Sequence, residues 1–591
     1  MLRSKNHHHG SEKMEPEYPM KLPVRKKSRK WFYLLSLVAI IFGAGAVLYF
    51  SQFIPSNDHE APTFNGNVKP VFYKGAMLDK PAEGKEEGLK LPFATVKELL
   101  DPTMIYEEAS ESTIITTQDK VIRLRTSQLT GMLNEKPFNL KFPLEKVEGA
   151  LYLPMEPLKQ LYSFELRESK DTGAVILVKE GDSIEWAKTA VYTDKPTKTI
   201  PMRTGPTIKS PILVDVSQEE EVMIWSEEQE WYKVQLTNGY QGYMKKDHLQ
   251  QEHRKEIIPE QQTPPPFVPV KPINGKINLT WEQVVTKTPD ATKFVPMPGL
   301  NVVSPTWFHL EDGQGNLKNI ADPAYVKWAH SQNIQVWGLF SNGFEPKRTT
   351  EALATYDKRM KMIKQLLSFA QLYSLQGINI DFENVNVKDK EELVQFVREM
   401  VPLMHEQGLV VSIDVTPKST NENWSLFYDR KALIESVDYM MLMAYDEHWA
   451  SSPVAGSVAS LPWVESSLTR MMKEDRIPAS KLILSIPFYT RIWTEETVDD
   501  KVKVSSRAVF MENPQKVIKE KKLTPVFKSD VGQNYVEYKE GNKLNKIWIE
   551  DEVSIKARMD LVKKYGLAGV ASWRRGYETP QVWSLIDDAL K

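Results

Sequence analysis

Three polar side chains stand at alternate positions in Gly377-Ile378-Asn379-Ile380-Asp381-Phe382-Glu383, and two of them are carboxylates. Successive side chains of a β-strand point to opposite faces, so Asn379, Asp381 and Glu383 share one face and Ile378, Ile380 and Phe382 the other. Neighbours on one face stand about 6.5–7 Å apart. Carboxylates are costly to remove from water. A strand with two in line either satisfies them with backbone or a neighbouring lysine, or uses them to move protons. Several other chemistries lack residues to carry them. There is no cysteine, which removes disulfides, thiolate nucleophiles and cysteine-ligated metals. No HExxH pair and no carboxylate-rich calcium loop occurs, so neither a catalytic metal nor a cofactor is expected. A net charge of -2 over 591 residues offers no sign of a nucleic-acid partner.

The elements that must position these residues lie in the last 315 or so residues. Apolar strand-like runs (KINLTW, LNVVSPTWF, QVWGLF, GINIDFE, LVVSIDV, YMMLMAYD, KLILSIPF and GVASW) alternate there with helix-patterned segments. Met360, Ile363, Leu366, Leu367 and Ala370 recur at helical spacing before Gly377, and Leu393, Phe396, Val397, Met400 and Met404 do so before Gly408. Strand–helix alternation repeated about eight times predicts an α/β fold with parallel strands, closed as a (β/α)8 TIM barrel over 275–591. An open doubly wound sheet is the alternative, but no Gly-rich phosphate loop follows any strand. Residues 492–546 are too long for a loop and carry strand-like VFKSD and NYVEYKE, which predicts a small α+β insertion. In such a barrel the C-terminal strand ends hold the active site, which is where Asp381 and Glu383 fall.

The segment resembles the DGxDxDxE signature of the family 18 glycoside hydrolases, with Glu383 at the catalytic-acid position. Met443-Ala444-Tyr445-Asp446 resembles the family's MxYD strand, and Trp573 its last-strand aromatic. Two positions depart from the pattern: the first motif aspartate is Gln376 here and the middle one is Asn379. In the family that middle aspartate shares a proton with its neighbour; an asparagine can hydrogen-bond Asp381 but cannot take up charge. The form GINIDFENV is similar to bacterial cell-wall and spore-cortex members. The resemblance implies a retaining, substrate-assisted mechanism in which no second carboxylate nucleophile is needed. Glu383 would protonate the glycosidic oxygen, Asp381 would orient the sugar's 2-acetamido group, and Tyr445 would donate to its oxygen. Substrate-binding expectations are Asn379, Met443, Asp446, Trp573 as a sugar floor, and Trp307 as a platform. Met443, Tyr445, Trp573, Trp307 and Phe308 are alternatively core residues, and Asp446 alternatively a brace of the strand end. Asp414 and His448 are further candidates. The −1 sugar must carry a free acetamido group, which makes N-acetylglucosamine in peptidoglycan the expected substrate, with chitin-type glycans second. A non-catalytic, lectin-like surface protein is the rival reading.

The first half of the chain divides by composition. The uncharged run Trp31–Phe50 is long enough to cross a bilayer and follows the basic RKKSRK. The positive-inside rule then puts a tail of residues 1–30 in the cytoplasm and the rest outside. The other reading is a signal sequence cleaved near Ala46. Residues 51–68 read as a spacer. Residues 69–185 read as a small α+β domain resembling the module named from the N-terminus of copper amine oxidases, with no histidine between His59 and His248 to bind copper. Residues 186–250 show short strands with an Asn238-Gly239 turn and resemble the bacterial SH3 module. A proline-dense linker, 251–274, precedes the barrel.

Overall fold

The computed structural model describes residues 30–64, 69–195, 198–256, 267–269, 275–499 and 501–591. The basic tail and most of the proline-dense linker lie outside them. The described residues form two compact units, one of 30–78 and 166–256, the other of 79–165 and 267–591.

The second unit is built on eight parallel strands: β1 (Ile277–Glu282), β2 (Val302–Pro305), β3 (Gln335–Ser341), β4 (Gly377–Asp381), β5 (Val410–Val415), β6 (Tyr439–Met443), β7 (Leu482–Pro487) and β8 (Gly569–Trp573). Each pairs with the next, and β8 pairs with β1 as well as β7, which closes a (β/α)8 barrel. All eight strand-like runs of the sequence become these strands. Ile277, Leu279, Trp281, Trp337, Leu339, Tyr439 and Met441 fill the inside. Ile378, Ile380 and Phe382 face outward into the layer between strands and helices. The helix entering β4, α1 (Tyr356–Tyr373), buries Met360, Ile363, Leu366 and Ala370 and stops at Ser374, which takes a left-handed conformation. The helix leaving β4, α2 (Lys390–Glu406), buries Leu393, Phe396, Val397, Met400 and Met404.

Directly after β7 the chain leaves the barrel. It forms a five-stranded antiparallel sheet spanning Tyr489–Ile549 with one helix, Glu512–Lys521. The insertion is thus α+β as its patterning predicts, with slightly wider bounds.

The 69–185 stretch is divided between the two units. Its middle part is a five-stranded antiparallel sheet over Ile105–Asn139, and Ile114 and Val121 of that sheet join the barrel's outer core. Polar contacts reinforce the join. Arg123 makes two bonds to Asp357 (2.6 and 3.2 Å). Glu107 accepts from the Tyr356 N–H (2.6 Å) and Glu135 from the Tyr356 hydroxyl (2.6 Å). Beneath them the buried Arg359 forms a two-bond pair with the buried Glu399 (2.8 and 2.7 Å) and reaches Glu107 at 3.5 Å.

In the first unit, helix Lys30–Phe53 is long and apolar enough to cross a membrane and buries none of its residues. A seven-stranded antiparallel sheet includes Trp231–Leu236 and Gln241–Lys245, joined by the expected turn with Gly239 at φ 93°. Residues 56–60, read from sequence as spacer, run beside the strand Ile212–Val216. Glu60 N–H donates to Ile212 O (2.9 Å), Ile212 N–H donates to Asp58 O (2.8 Å), and His59 bonds Asp215 (2.8 Å).

The buried pair and a surface pair should respond very differently to mutation. Glu399→Ala would leave Arg359 with Glu107, at 3.5 Å, and the Leu353 carbonyl as partners, and should cost about 3–5 kcal/mol in urea unfolding of this unit. Lys136→Ala, which breaks an exposed pair with Glu406, should cost less than about 1 kcal/mol.

Candidate active site

β4 ends at Asp381, and its last pairing with β3 joins Ser341 to Asp381. Glu383 therefore lies beyond the ladder, where its peptide has no strand neighbour. The side chain of Asn342, fully buried, takes the neighbour's place. Its Oδ1 accepts from Glu383 N–H (3.1 Å) and its Nδ2 donates to Glu383 O (2.8 Å). The same carboxamide donates to Thr349 Oγ1 (3.0 Å) and accepts from Phe344 N–H (3.3 Å), so all four of its bonds are made. On the other side the buried Tyr428 hydroxyl donates to Phe382 O (2.8 Å). The loop after β3 is locked to the one after β4 again through Asn384 Nδ2, which donates to Phe344 O (3.0 Å). Phe344 is exposed and held at φ 60°, a strained conformation for a bulky residue.

Asp381 and Glu383 are both half-buried. Asp381 Oδ1 is sealed from solvent and has no hydrogen-bond partner among the described residues. Burial pushes the Asp381 carboxyl up to about 7. Burial raises Glu383 well above the usual carboxylate range, and the charges of Asp381 and Asp446 add to the effect. Asp414 of β5 is buried, and burial together with Asp381 raises it too, against the opposing bond from Asn379. Tyr445 follows β6 half-buried, with its ring 6.3 Å from that of Tyr489; burial raises its hydroxyl, and Tyr489, Asp414, Glu383 and Asp381 push it further. Asp446, at φ 60°, accepts from the Tyr489 hydroxyl (2.7 Å) and lies 3.6 Å from Arg491, so the first strand of the insertion braces it. Met443 is buried on the inward face of β6. Trp573 is half-buried against Trp281, with ring centroids 6.0 Å apart, at the top of the inner core.

Two expectations are corrected. Asn379 is fully buried and satisfied by protein. Its oxygen accepts from Trp281 Nε1 (2.9 Å) and Ser304 Oγ (3.2 Å), and its Nδ2 donates to Ser412 (3.1 Å) and Asp414 (2.9 Å). It offers nothing to substrate, and its carboxamide is spent on Asp414 rather than Asp381. Trp307 is no platform: it is fully buried in the outer core, donates to Thr288 (3.0 Å) and packs edge-on against Tyr325. Phe308 is likewise buried, stacked on Phe369. His448 is half-buried and bonds Ser457 O (2.9 Å). Asn342 and Tyr428 escape a reading by motif. The visible signal for Asn342 is a polar residue directly after the apolar run QVWGLF, at the end of a barrel strand; Tyr428 sits in a loop without periodicity.

This assembly matches known proteins. Residues 291–578 match "Glycosyl hydrolases family 18", and residues 198–250 match "Bacterial SH3 domain". The chain is 28% identical over 308 residues to an uncharacterized glycosylase, YvbX, of Bacillus subtilis, across 49% of this chain and 85% of that one. It is 26% identical over 239 residues to the cortical fragment-lytic enzyme of Bacillus subtilis, across 39% of this chain. The match spans 53% of that enzyme, so the chain covers about half its length. Among solved structures, the spore cortex-lytic enzyme SleL of Bacillus megaterium aligns with a TM-score of 0.47 at 21% identity, covering 58% of this chain and 78% of that one. The chain thus carries a family 18 glycosyl hydrolase domain and a bacterial SH3 domain, and the barrel is that of a glycoside hydrolase.

The Asn342 clamp generates a prediction. Asn342→Ala would free the Glu383 peptide, and an ångström of misplacement is expected to lower kcat about 100-fold. KM should change little, and circular dichroism should report retained folding.

Proposed function

We propose that the chain is a retaining, substrate-assisted hydrolase of β-1,4 bonds that follow N-acetylglucosamine in peptidoglycan. One observation carries the reading: Glu383 sits half-buried past the end of β4, where burial raises its carboxyl well above the usual carboxylate range, beside Asp381 and within the electrostatic reach of Tyr445. A carboxylic acid kept protonated near neutrality is suited to donate to a leaving glycosidic oxygen. Asp381 accepts from the acetamido N–H and Tyr445 donates to its oxygen, so that oxygen attacks the anomeric carbon. Glu383, now a carboxylate, then takes a proton from water as the intermediate opens with retention. Trp573 forms the apolar floor under the sugar, Met443 lines it, and Asp446 holds the edge of the subsite. Peptidoglycan is preferred over chitin because the domain is joined to an SH3 domain and an apolar helix, and one relative acts, by its name, on cortical fragments. Helix Lys30–Phe53 is read as a membrane anchor that leaves the barrel outside the cell, and the SH3 domain as a wall-contacting module.

The test incubates the full-length protein in detergent with purified peptidoglycan and with chitooligosaccharides, and analyses reducing ends by mass spectrometry. New N-acetylglucosamine ends from peptidoglycan, reduced about 10²- to 10⁴-fold in Glu383→Gln, are expected. Binding without cleavage by the unaltered protein would instead make it a lectin. The pH dependence has a definite sign. Glu383 works in its protonated form and its pKa is raised, so kcat/KM should fall as pH climbs through a value above the ordinary carboxylate range. Asp446→Asn removes one of the negative charges that raise it, and should move that alkaline limb to lower pH in a pH–rate profile.

A further inference from the structure

Position 379 holds a neutral carboxamide, yet the mouth of the barrel contains a second carboxylate directly beside Asp381. The pairing of β4 with β5 runs through Asn379 opposite Ser412 and Ile380 opposite Ile413. Continued by one residue, this register brings Asp414 alongside Asp381 on the same inward face, with the two strand backbones about 4.8 Å apart. This is closer than the about 6.5–7 Å that separates Asp381 from position 379 along its own strand. The carboxamide of Asn379 has only one orientation open to it. Trp281 Nε1 can only donate, so it must face the Asn379 oxygen, which leaves Nδ2 to face Ser412 and Asp414 Oδ1. One oxygen of Asp414 is thereby occupied, and Asp381 Oδ1 is buried without a partner.

We propose that Asp414 supplies the carboxylate that β4 lacks at position 379, sharing one proton with Asp381 and taking it up during turnover. The inference rests on the substrate-assisted reading above. Two carboxylates this close in a poorly solvated mouth do not both ionise. Burial and the charge of Asp381 hold the Asp414 carboxyl high, in keeping with a proton kept between them. The other titratable groups facing the pair are Glu383 at the end of β4, Tyr428 from the loop after β5 and Tyr445 after β6. As the acetamido oxygen attacks and positive charge builds on the acetamido group, the shared proton moves from Asp381 to Asp414. Asp381 becomes the carboxylate that accepts the acetamido N–H. When water opens the intermediate the proton returns, so nothing is consumed. Asp414 acts through Asp381 and is a positioning residue, not one that touches sugar.

The test is an exchange of positions in the full-length protein, assayed on peptidoglycan and chitooligosaccharides. Asp414→Asn should lower kcat about 100-fold and flatten the limb of the pH profile that reports Asp381. The double variant Asn379→Asp with Asp414→Asn moves the carboxylate back onto β4 while keeping a carboxamide–carboxylate bond. Trp281, Ser304 and Ser412 can all donate to the new carboxylate, and kcat should return to within about 10-fold of the unaltered protein. A structural role for Asp414 would predict no such rescue. Unchanged kcat in Asp414→Asn, or a folded double variant no better than the single one, overturns the proposal. Should Asp414→Asn fail to fold, carboxyl 13C titration of the unaltered protein decides. Two well-separated steps for the pair are expected, and two independent steps in the ordinary aspartate range overturn it. If the unaltered protein cleaves neither glycan, the proposed function falls instead, and that outcome is visible before any variant is made.

Discussion

Carboxyl groups repel one another and resist leaving water, and this barrel collects Asp381, Glu383 and Asp414 in a single mouth. That crowding is the constraint to which the rest of the site answers. Burial raises all three, and the charge of Asp381 raises Glu383 and Asp414 further. A neutral asparagine at position 379 is understandable in this light. A carboxylate there, next to Asp381 and within bonding reach of Asp414, would add a further charge to a pocket already resisting two. Asn379 instead donates to Asp414 and is held by Trp281 and Ser304, which turns a source of repulsion into a bridge between β4 and β5.

The second demand comes from the backbone. Glu383 stands past the end of the sheet, where ladder bonds stop and buried peptide groups still need partners. Asn342 and Tyr428 meet that demand from the two flanking loops, one with a carboxamide that copies a peptide's donor and acceptor, the other with a hydroxyl. Their bonds hold the peptides of Phe382 and Glu383 without adding charge. A lysine or arginine in either place would draw the Glu383 carboxyl toward ionisation and oppose the role proposed for it.

Much of this was legible from residue order alone. The period-2 alternation in β4 correctly divides outward Ile378, Ile380 and Phe382 from inward Asn379, Asp381 and Glu383, because one face of a barrel strand meets helices and the other a polar mouth. The eight strands are visible because parallel strands buried on both sides are short apolar runs. Alternation stops being a guide where a strand ends. Trp307 follows β2 at a turn, with its N–H bonded back to Pro305 O, and its ring swings into the outer core rather than the mouth. The partner of Asn379 was also hidden, since spacing along one strand says nothing about which residue of the next strand lies alongside. The clamp by Asn342 belongs to the same class: side-chain bonds to backbone leave no periodic trace.

The sheet over Ile105–Asn139 was the least legible element, for its composition marks it as a surface module and nothing in it points at the barrel. Its contacts give it a reason to be there. It grips Tyr356, Asp357 and Arg359 at the start of α1, which enters β4, and through Asn134 and Lys136 it reaches Glu406 at the end of α2, which leaves β4. The strand bearing the crowded acids is therefore supported on both sides by helices that are themselves tied down. Repulsion among carboxyls tends to push their strands apart, and a strand with loosely held helices would relax by letting water in. Water would restore ordinary acidity to these carboxyls. Tying down α1 and α2 supports the strand between them, so the extra sheet belongs with the barrel as one unit although it lies far from the acids in sequence.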